Sequence, residues 1–260
     1  MPHASLPTLF LSHGAPLLAL DASPTARFLD GLGRSLPTPR AIVVISAHYT
    51  ATRVRVTAGV APRTLYDFGG FPPELYRIDY PARGEPPLAR TLVERLREAG
   101  IEAQADAAAG FDHGVWVPLR RMYPDAELPV VALSVVAHAD AAWHLGYGAA
   151  LATLRAEGVL VIGSGGFVHN LGLLGADGTP PSAWAQAFRE WLGGRIDRGE
   201  SHIAADWLAR APYPRLAHPS PEHLLPLFVA WGAAGADSPG RLIHDAWSWS
   251  NLGLQCFAFG

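Results

Sequence analysis

Histidine is the main source of reactive side chains in this chain. Eleven histidines are present, and all 20 basic residues are arginine, because the sequence holds no lysine. Schiff-base catalysis and a P-loop lysine are thereby excluded. An imidazole can ligate a transition metal or move a proton near neutral pH. Three histidines follow short apolar runs: His13 in LFLSHGAP, His48 in VVISAHY and His169 in VLVIGSGGFVH. Open α/β sheets bind ligands beyond the carboxyl ends of their strands, so three histidines at such ends point to one shared site. A single histidine after a strand is more often a hydrogen-bonded loop residue; the common placement carries the metal reading. Gly14 and Pro16 tighten the turn after His13, and small residues before His48 leave space beside it.

Two further histidines lie elsewhere. His113, in GFDHGVWVPL, precedes an apolar helical turn. It reads either as part of a helix start capped by Asp112 or as an acid/base or substrate-binding imidazole. His223, in HPSPEHLLPLF, falls in the first turn or two of a helix, beside Glu222. Adjacent helical residues point about 100° apart, so both cannot easily ligate one ion. Spacing leaves open three imidazoles or two imidazoles with a carboxylate, the usual facial triad of non-haem Fe(II). His218 is close enough to support the site but reads more simply as a loop residue. His3, His138, His144, His202 and His244 read as surface or structural.

The elements that must position these residues follow from patterning. Residues 8–11, 41–46, 130–135 and 159–162 are continuous apolar runs, which suits strands buried on both faces. Helical periodicity covers 86–99, 139–157, 182–196 and 221–234, with Asp140 and Ser182 as N-caps. Residues 66–83, rich in Gly, Pro and aromatics, form an irregular functional or packed loop, and 211–221 an extended connector. Tyr66, Phe68, Phe71, Tyr76, Trp116 and Trp184 are candidates for an aromatic pocket or for plain core. No repeat or dividing linker appears. The fold expected is one α/β domain with a mixed central sheet flanked by helices, spanning 1–260.

Composition bounds the function. With 49% hydrophobic and 17% charged residues, the chain can bury a full core. A net charge of -3 argues against nucleic acid. The single cysteine, Cys256, excludes an internal disulfide and a cysteine-based zinc site. No signal peptide or membrane-length apolar run is read, so the expected location is the cytoplasm. Oligomeric state is unread. The glycine loop 163–166 lacks the third glycine of a dinucleotide fingerprint, is not a nucleophile elbow, and reads as a close-approach turn presenting His169. No HExxH occurs.

The set SHGAP, SAHY, GFDHGVWVPL, IGSGGFVHNL and HPSPEHLLPLF, supported by FGGFP, resembles the class III extradiol ring-cleaving dioxygenases, and most closely their DOPA 4,5-dioxygenase-like branch. The resemblance runs in order from about Leu9 to Trp231. It implies one divalent metal, Fe(II) for catalysis with Zn(II) as an occupant found bound, and O₂-dependent cleavage of a catechol such as DOPA beside its hydroxyls. By motif it makes His13, His48 and His223 ligands. It makes His169 the acid/base histidine or a further member of the metal set, and His113 a substrate-binding or acid/base residue. The chain departs from the family at Ala15, often serine, and in its C-terminal tail. A zinc hydrolase working through metal-bound water, or a non-catalytic protein of the same fold, are the competing readings.

Overall fold

A computed structural model describes residues 5–260; His3 lies outside them. The strands are β1 (Thr8–Ser12), β2 (Ala41–Thr50), β3 (Val54–Thr57), β4 (Ala103–Asp106), β5 (Val130–Val135), β6 (Val159–Gly165), β7 (Gly240–His244), β8 (Trp247–Ser248), β9 (Leu252–Gly253) and β10 (Cys256–Phe259). The helices are α1 (Pro24–Ser35), α2 (Pro86–Glu98), α3 (His113–Met122), α4 (Ala141–Ala149), α5 (Ala183–Asp197), α6 (Ser201–Ala205), α7 (Trp207–Arg210), α8 (Pro214–Ala217) and α9 (Leu225–Ala234).

Eight strands form one mixed sheet in the order β4-β3-β5-β2-β6-β1-β10-β7. The central four, β5-β2-β6-β1, are parallel and are the four apolar runs of the sequence. Their side chains alternate between two cores. Val43, Ile45 and Val161 pack with α2, α4, α5 and α9. Ile42, Val44 and Ile162 pack with α1 and α3 on the opposite face. Burial on both faces explains why the runs are continuous rather than alternating. The result is the expected single α/β domain with a mixed sheet.

The edge strands β4 and β7 and the next-to-edge strand β3 carry Gln104, Arg241 and Arg55 on their partly solvated faces, so they show no apolar run. Helix α1 is likewise absent from the sequence reading. It starts at Pro24 with Ser23 as its cap, the Ser23 hydroxyl accepting from the Ala26 amide at 3.1 Å.

Three boundaries differ from the sequence reading. The helix expected over 139–157 is capped by Asp140 as predicted but stops at Ala149, and a 3₁₀ turn follows at Ala152–Arg155. Gly146 and Gly148 weaken it near its end. Gly148 is required there, since a Cβ would sit 2.1 Å from the Val229 carbonyl oxygen of α9. Helix α9 begins at Leu225, not 221, so His223 lies in the turn that feeds it. The connector 211–221 contains the short helix α8, started by Pro214. Residues 66–83 are irregular apart from a 3₁₀ turn at Leu75–Arg77. No helix among the described residues is long and apolar enough to cross a membrane.

The glycine loop positions that turn. A Cβ on Gly163 would lie 2.1 Å from the Pro226 carbonyl oxygen, and one on Gly165 would lie 2.1 Å from that of His223. The Gly166 amide donates to the same His223 carbonyl at 2.9 Å. These glycines therefore let the chain around His223 rest directly on β6. Gly165→Ala is expected to cost about 1–3 kcal/mol, as overpacking does, and to displace His223. The urea midpoint should fall and metal affinity should drop with it; an unchanged midpoint would show that the contact yields freely.

Candidate metal centre

Adjacent strands β2, β6 and β1 end at one place, and their neighbours bring five imidazoles together there. His13 directly follows β1. His48 lies within β2 rather than beyond it, because the strand continues to Thr50 past a register shift against β5 between Ser46 and Thr50. Such an irregularity re-aims side chains at a sheet edge. His169 lies four residues past β6, His113 opens α3, and His223 precedes α9.

The hydrogen bonds set which nitrogens are free. The Ser164 hydroxyl donates to the Gly114 carbonyl, so it accepts at 3.0 Å from His13 Nδ1. His13 Nε2 is then an unprotonated lone pair. It lies 3.0 Å from His48 Nε2, which lies 3.3 Å from His223 Nε2. The outer nitrogens face oxygens: Asp67 Oδ2 is 3.6 Å from His48 Nδ1, and Glu222 Oε1 is 3.3 Å from His223 Nδ1. A proton on His48 Nε2 can satisfy one neighbour but not both. A divalent transition metal beside His13 and His48 would satisfy their facing Nε2 atoms, and oxygen partners behind ligating imidazoles are the usual support. The donor set therefore fits a metal.

His113 belongs to the same cluster, since His13, His48 and His113 offer ligand atoms within 4.8 Å of one another. Its backbone amide and Nδ1 both donate to Asp67, each at 2.9 Å. Asp67 thus caps α3 from the 66–83 loop. The cap predicted for Asp112 is not made by its side chain. Asp112 instead accepts from Ser46 Oγ at 2.6 Å, and burial pushes its carboxyl up to about 6. His169 stacks on His223, ring centroids 3.5 Å apart and planes 6° apart.

Charge follows burial. Burial, then neighbouring imidazoles, hold His13 well below the ordinary histidine range, lower His48 to about 3, and lower His169 to about 2. These rings are neutral at pH 7, the form in which imidazole ligates a metal. Burial opposes ionisation of Asp67, yet its bonds from His113 prevail and hold it below the usual carboxylate range.

The histidines open onto a cavity of about 550 Å³ lined also by Phe68, Phe71, Leu174, Trp249 and Leu252. This size suits a small-molecule ligand. Residues 7–260 match the family described as the catalytic LigB subunit of aromatic ring-opening dioxygenase. The chain belongs to the LigB family. It is 41% identical over 261 residues to a 4,5-DOPA dioxygenase extradiol of Beta vulgaris, covering 97% of this chain and 96% of that protein. It is 42% identical over 243 residues to a 4,5-DOPA dioxygenase extradiol of Escherichia coli K12, covering 92% and 89%. The crystal structure of an uncharacterized protein from Escherichia coli K12 superposes with a TM-score of 0.84 at 38% identity, covering 98% of this chain and all of that one. This LigB-family chain is accordingly an enzyme of the extradiol ring-cleavage class.

Within the LigB-family site, the pocket differs from the aromatic set read in the sequence. Phe68 and Phe71 line it. Tyr66 and Tyr76 are partly exposed on the loop, Trp116 is core and donates to the Leu65 carbonyl, and Trp184 packs on the other core. Sequence reasoning misses Asp67 and Ser164, although Asp67 directly precedes the FGGFP segment. His218 donates from Nε2 to the Phe167 carbonyl at 3.1 Å and is buried among Phe188 and Trp207. His144 is buried, with Nδ1 on the Asp140 carbonyl and Nε2 accepting from Val136. His244 bonds Thr25, while His138 and His202 are not buried.

Acid stability follows from these buried rings. Burial lowers His144 and His218 to about 4 each. Unfolded chains therefore take up protons first, and stability falls as pH drops from about 6.5 toward 4. Each tenfold loss of proton affinity on folding is worth about 1.4 kcal/mol. Asp112 acts in the opposite sense but is a single group. The urea midpoint of metal-free protein should decline steadily between pH 6.5 and 4; a flat profile contradicts the neutral, buried assignment.

Proposed function

We propose that the whole chain is one catalytic domain that cleaves a catechol, such as DOPA, beside its hydroxyls with O₂. One divalent metal, Fe(II) for turnover, is held by Nε2 of His13, His48 and His223. The observation that carries this is the run of close contacts from His13 Nε2 to His48 Nε2 at 3.0 Å and on to His223 Nε2 at 3.3 Å, beside an apolar cavity. His223 is favoured over Glu222 because Glu222 accepts from Ser220 at 2.7 Å and faces the outer nitrogen of His223. It is favoured over His113, whose ligand atom also lies within 4.8 Å of those of His13 and His48, because the family resemblance makes His223 the third ligand and its Nε2 lies 3.3 Å from that of His48. His169 is assigned outside the ligand set. Its ring is stacked face to face on His223, so the two rings present their nitrogens from parallel planes, and it would serve as the acid/base group beside the ligands. Zinc would occupy the same nitrogens without redox activity.

The metal, when bound, supplies charge that acidifies a catechol hydroxyl and redox capacity toward O₂. The remaining work belongs to the chain. Neutral His169 accepts the released hydroxyl proton and returns it to the opening ring. His113, with Nδ1–H donating to Asp67, presents the lone pair of Nε2 to the cavity as an acceptor for a substrate hydroxyl. Phe68, Phe71 and Trp249 hold the ring and exclude water. Small substrate and O₂ are the partners, with no role for nucleic acid or membrane, and the cytoplasm is the proposed location.

Protein loaded anaerobically with one equivalent of Fe(II) should convert catechols to a yellow ring-opened product with O₂ uptake, and zinc-loaded protein should not. If several catechols, DOPA included, give no product, the reading fails. Asp67→Asn should lower kcat about 10–100-fold, the usual cost of removing a supporting hydrogen bond, while metal stoichiometry holds.

A further inference from the structure

Resting on the ring-cleavage reading, we infer that among the catechols it accepts this site prefers one with an uncharged, apolar substituent over one with a carboxylate, DOPA included. Away from the histidines, the cavity wall consists of Phe68, Phe71, Leu171, Leu174, Trp249 and Leu252. None of its lining residues is arginine, and the chain has no lysine. The acids at the histidine end, Asp67 and Glu222, add negative charge beside the imidazoles. A substrate carboxylate entering this wall would give up water without a charged partner, which is costly. An alkyl or aryl group would gain by burial.

The apolar wall also continues outward. Leu171 is 63% exposed and Leu174 37% exposed, so the segment between Asn170 and Gly175 presents an apolar lip beside the cavity. Grouped exposed leucines at a cavity edge mark a contact surface. Trp249 lines the same cavity. It is held at φ 43°, a left-handed conformation unusual for a bulky residue, with its amide bonded to Asp177 and its carbonyl to Gly175. The Gly175 hydrogen bond thus ties Trp249 to the leucine segment. A chain attached to the ring para to one hydroxyl would lie between Trp249 and the two leucines.

The test compares 4-butylcatechol with 3-(3,4-dihydroxyphenyl)propionate, which share a ring and a similar chain length. Anaerobic calorimetry on Fe(II)-loaded protein should give a Kd at least tenfold lower for the neutral catechol, and kcat/KM in air should follow through KM. Leu174→Arg, at the partly exposed lip, should narrow or reverse that ratio by tightening the propionate. Equal or tighter binding of the propionate by the unaltered protein overturns the inference while leaving ring cleavage intact. Neutral preference in binding without turnover of any catechol sustains the inference and overturns the catalytic reading.

Discussion

The His48→Ala protein is expected to fold and to lose its metal. His48 Nε2 stands between those of His13 and His223, at 3.0 and 3.3 Å, so it is the member both others depend on. Removing it leaves two nitrogens without a shared centre. Loss of a supporting group behind a ligand costs about 10–100-fold in affinity, and loss of the ligand itself should exceed that. Turnover should fall below detection. The fold should survive, because His48 is only partly buried at the end of β2. In metal-free protein the substitution also removes crowding among packed imidazoles, so its urea midpoint should match or exceed that of the unaltered chain. His202→Ala, on an exposed residue away from the site, is the control and should retain one equivalent. Full metal retention by His48→Ala would refute the ligand set.

His169→Ala should behave differently. Its ring is stacked parallel to that of His223, centroids 3.5 Å apart. The substitution should keep one equivalent of metal and lower kcat by about 10²–10⁴, the range for a general acid/base. Its removal also takes a stacking face from His223, so a modest loosening of metal binding is compatible. Loss of stoichiometric metal would instead make His169 a ligand.

The contrast between these two residues shows what sequence alone can resolve. His13, His48 and His169 are legible as a group because each follows a continuous apolar run, and doubly buried strands produce such runs. The four central strands are legible for the same reason. Strands β3, β4 and β7 are not, since their solvent faces carry polar residues and their pairing is set by neighbours distant in sequence. The role of His223 is legible only through family resemblance. Its placement depends on Gly163 and Gly165 admitting the backbone of the turn before α9, a contact between segments about 60 residues apart. Asp67 is hidden similarly. It acts on His113 from 46 positions away, and nothing in its local spacing announces a helix cap. The tautomer of His13 depends on Ser164 donating its proton to Gly114, a contact the sequence does not show.

The most direct test of the account is a crystal structure of the protein loaded with Fe(II) and bound anaerobically to a catechol, with the metal placed by anomalous scattering. The account predicts one ion bonded by Nε2 of His13, His48 and His223, both catechol oxygens on it, and His169 within hydrogen-bond distance of one of those oxygens but not on the metal. An ion bonded through His113, His169 or Glu222 in place of His223 would contradict it.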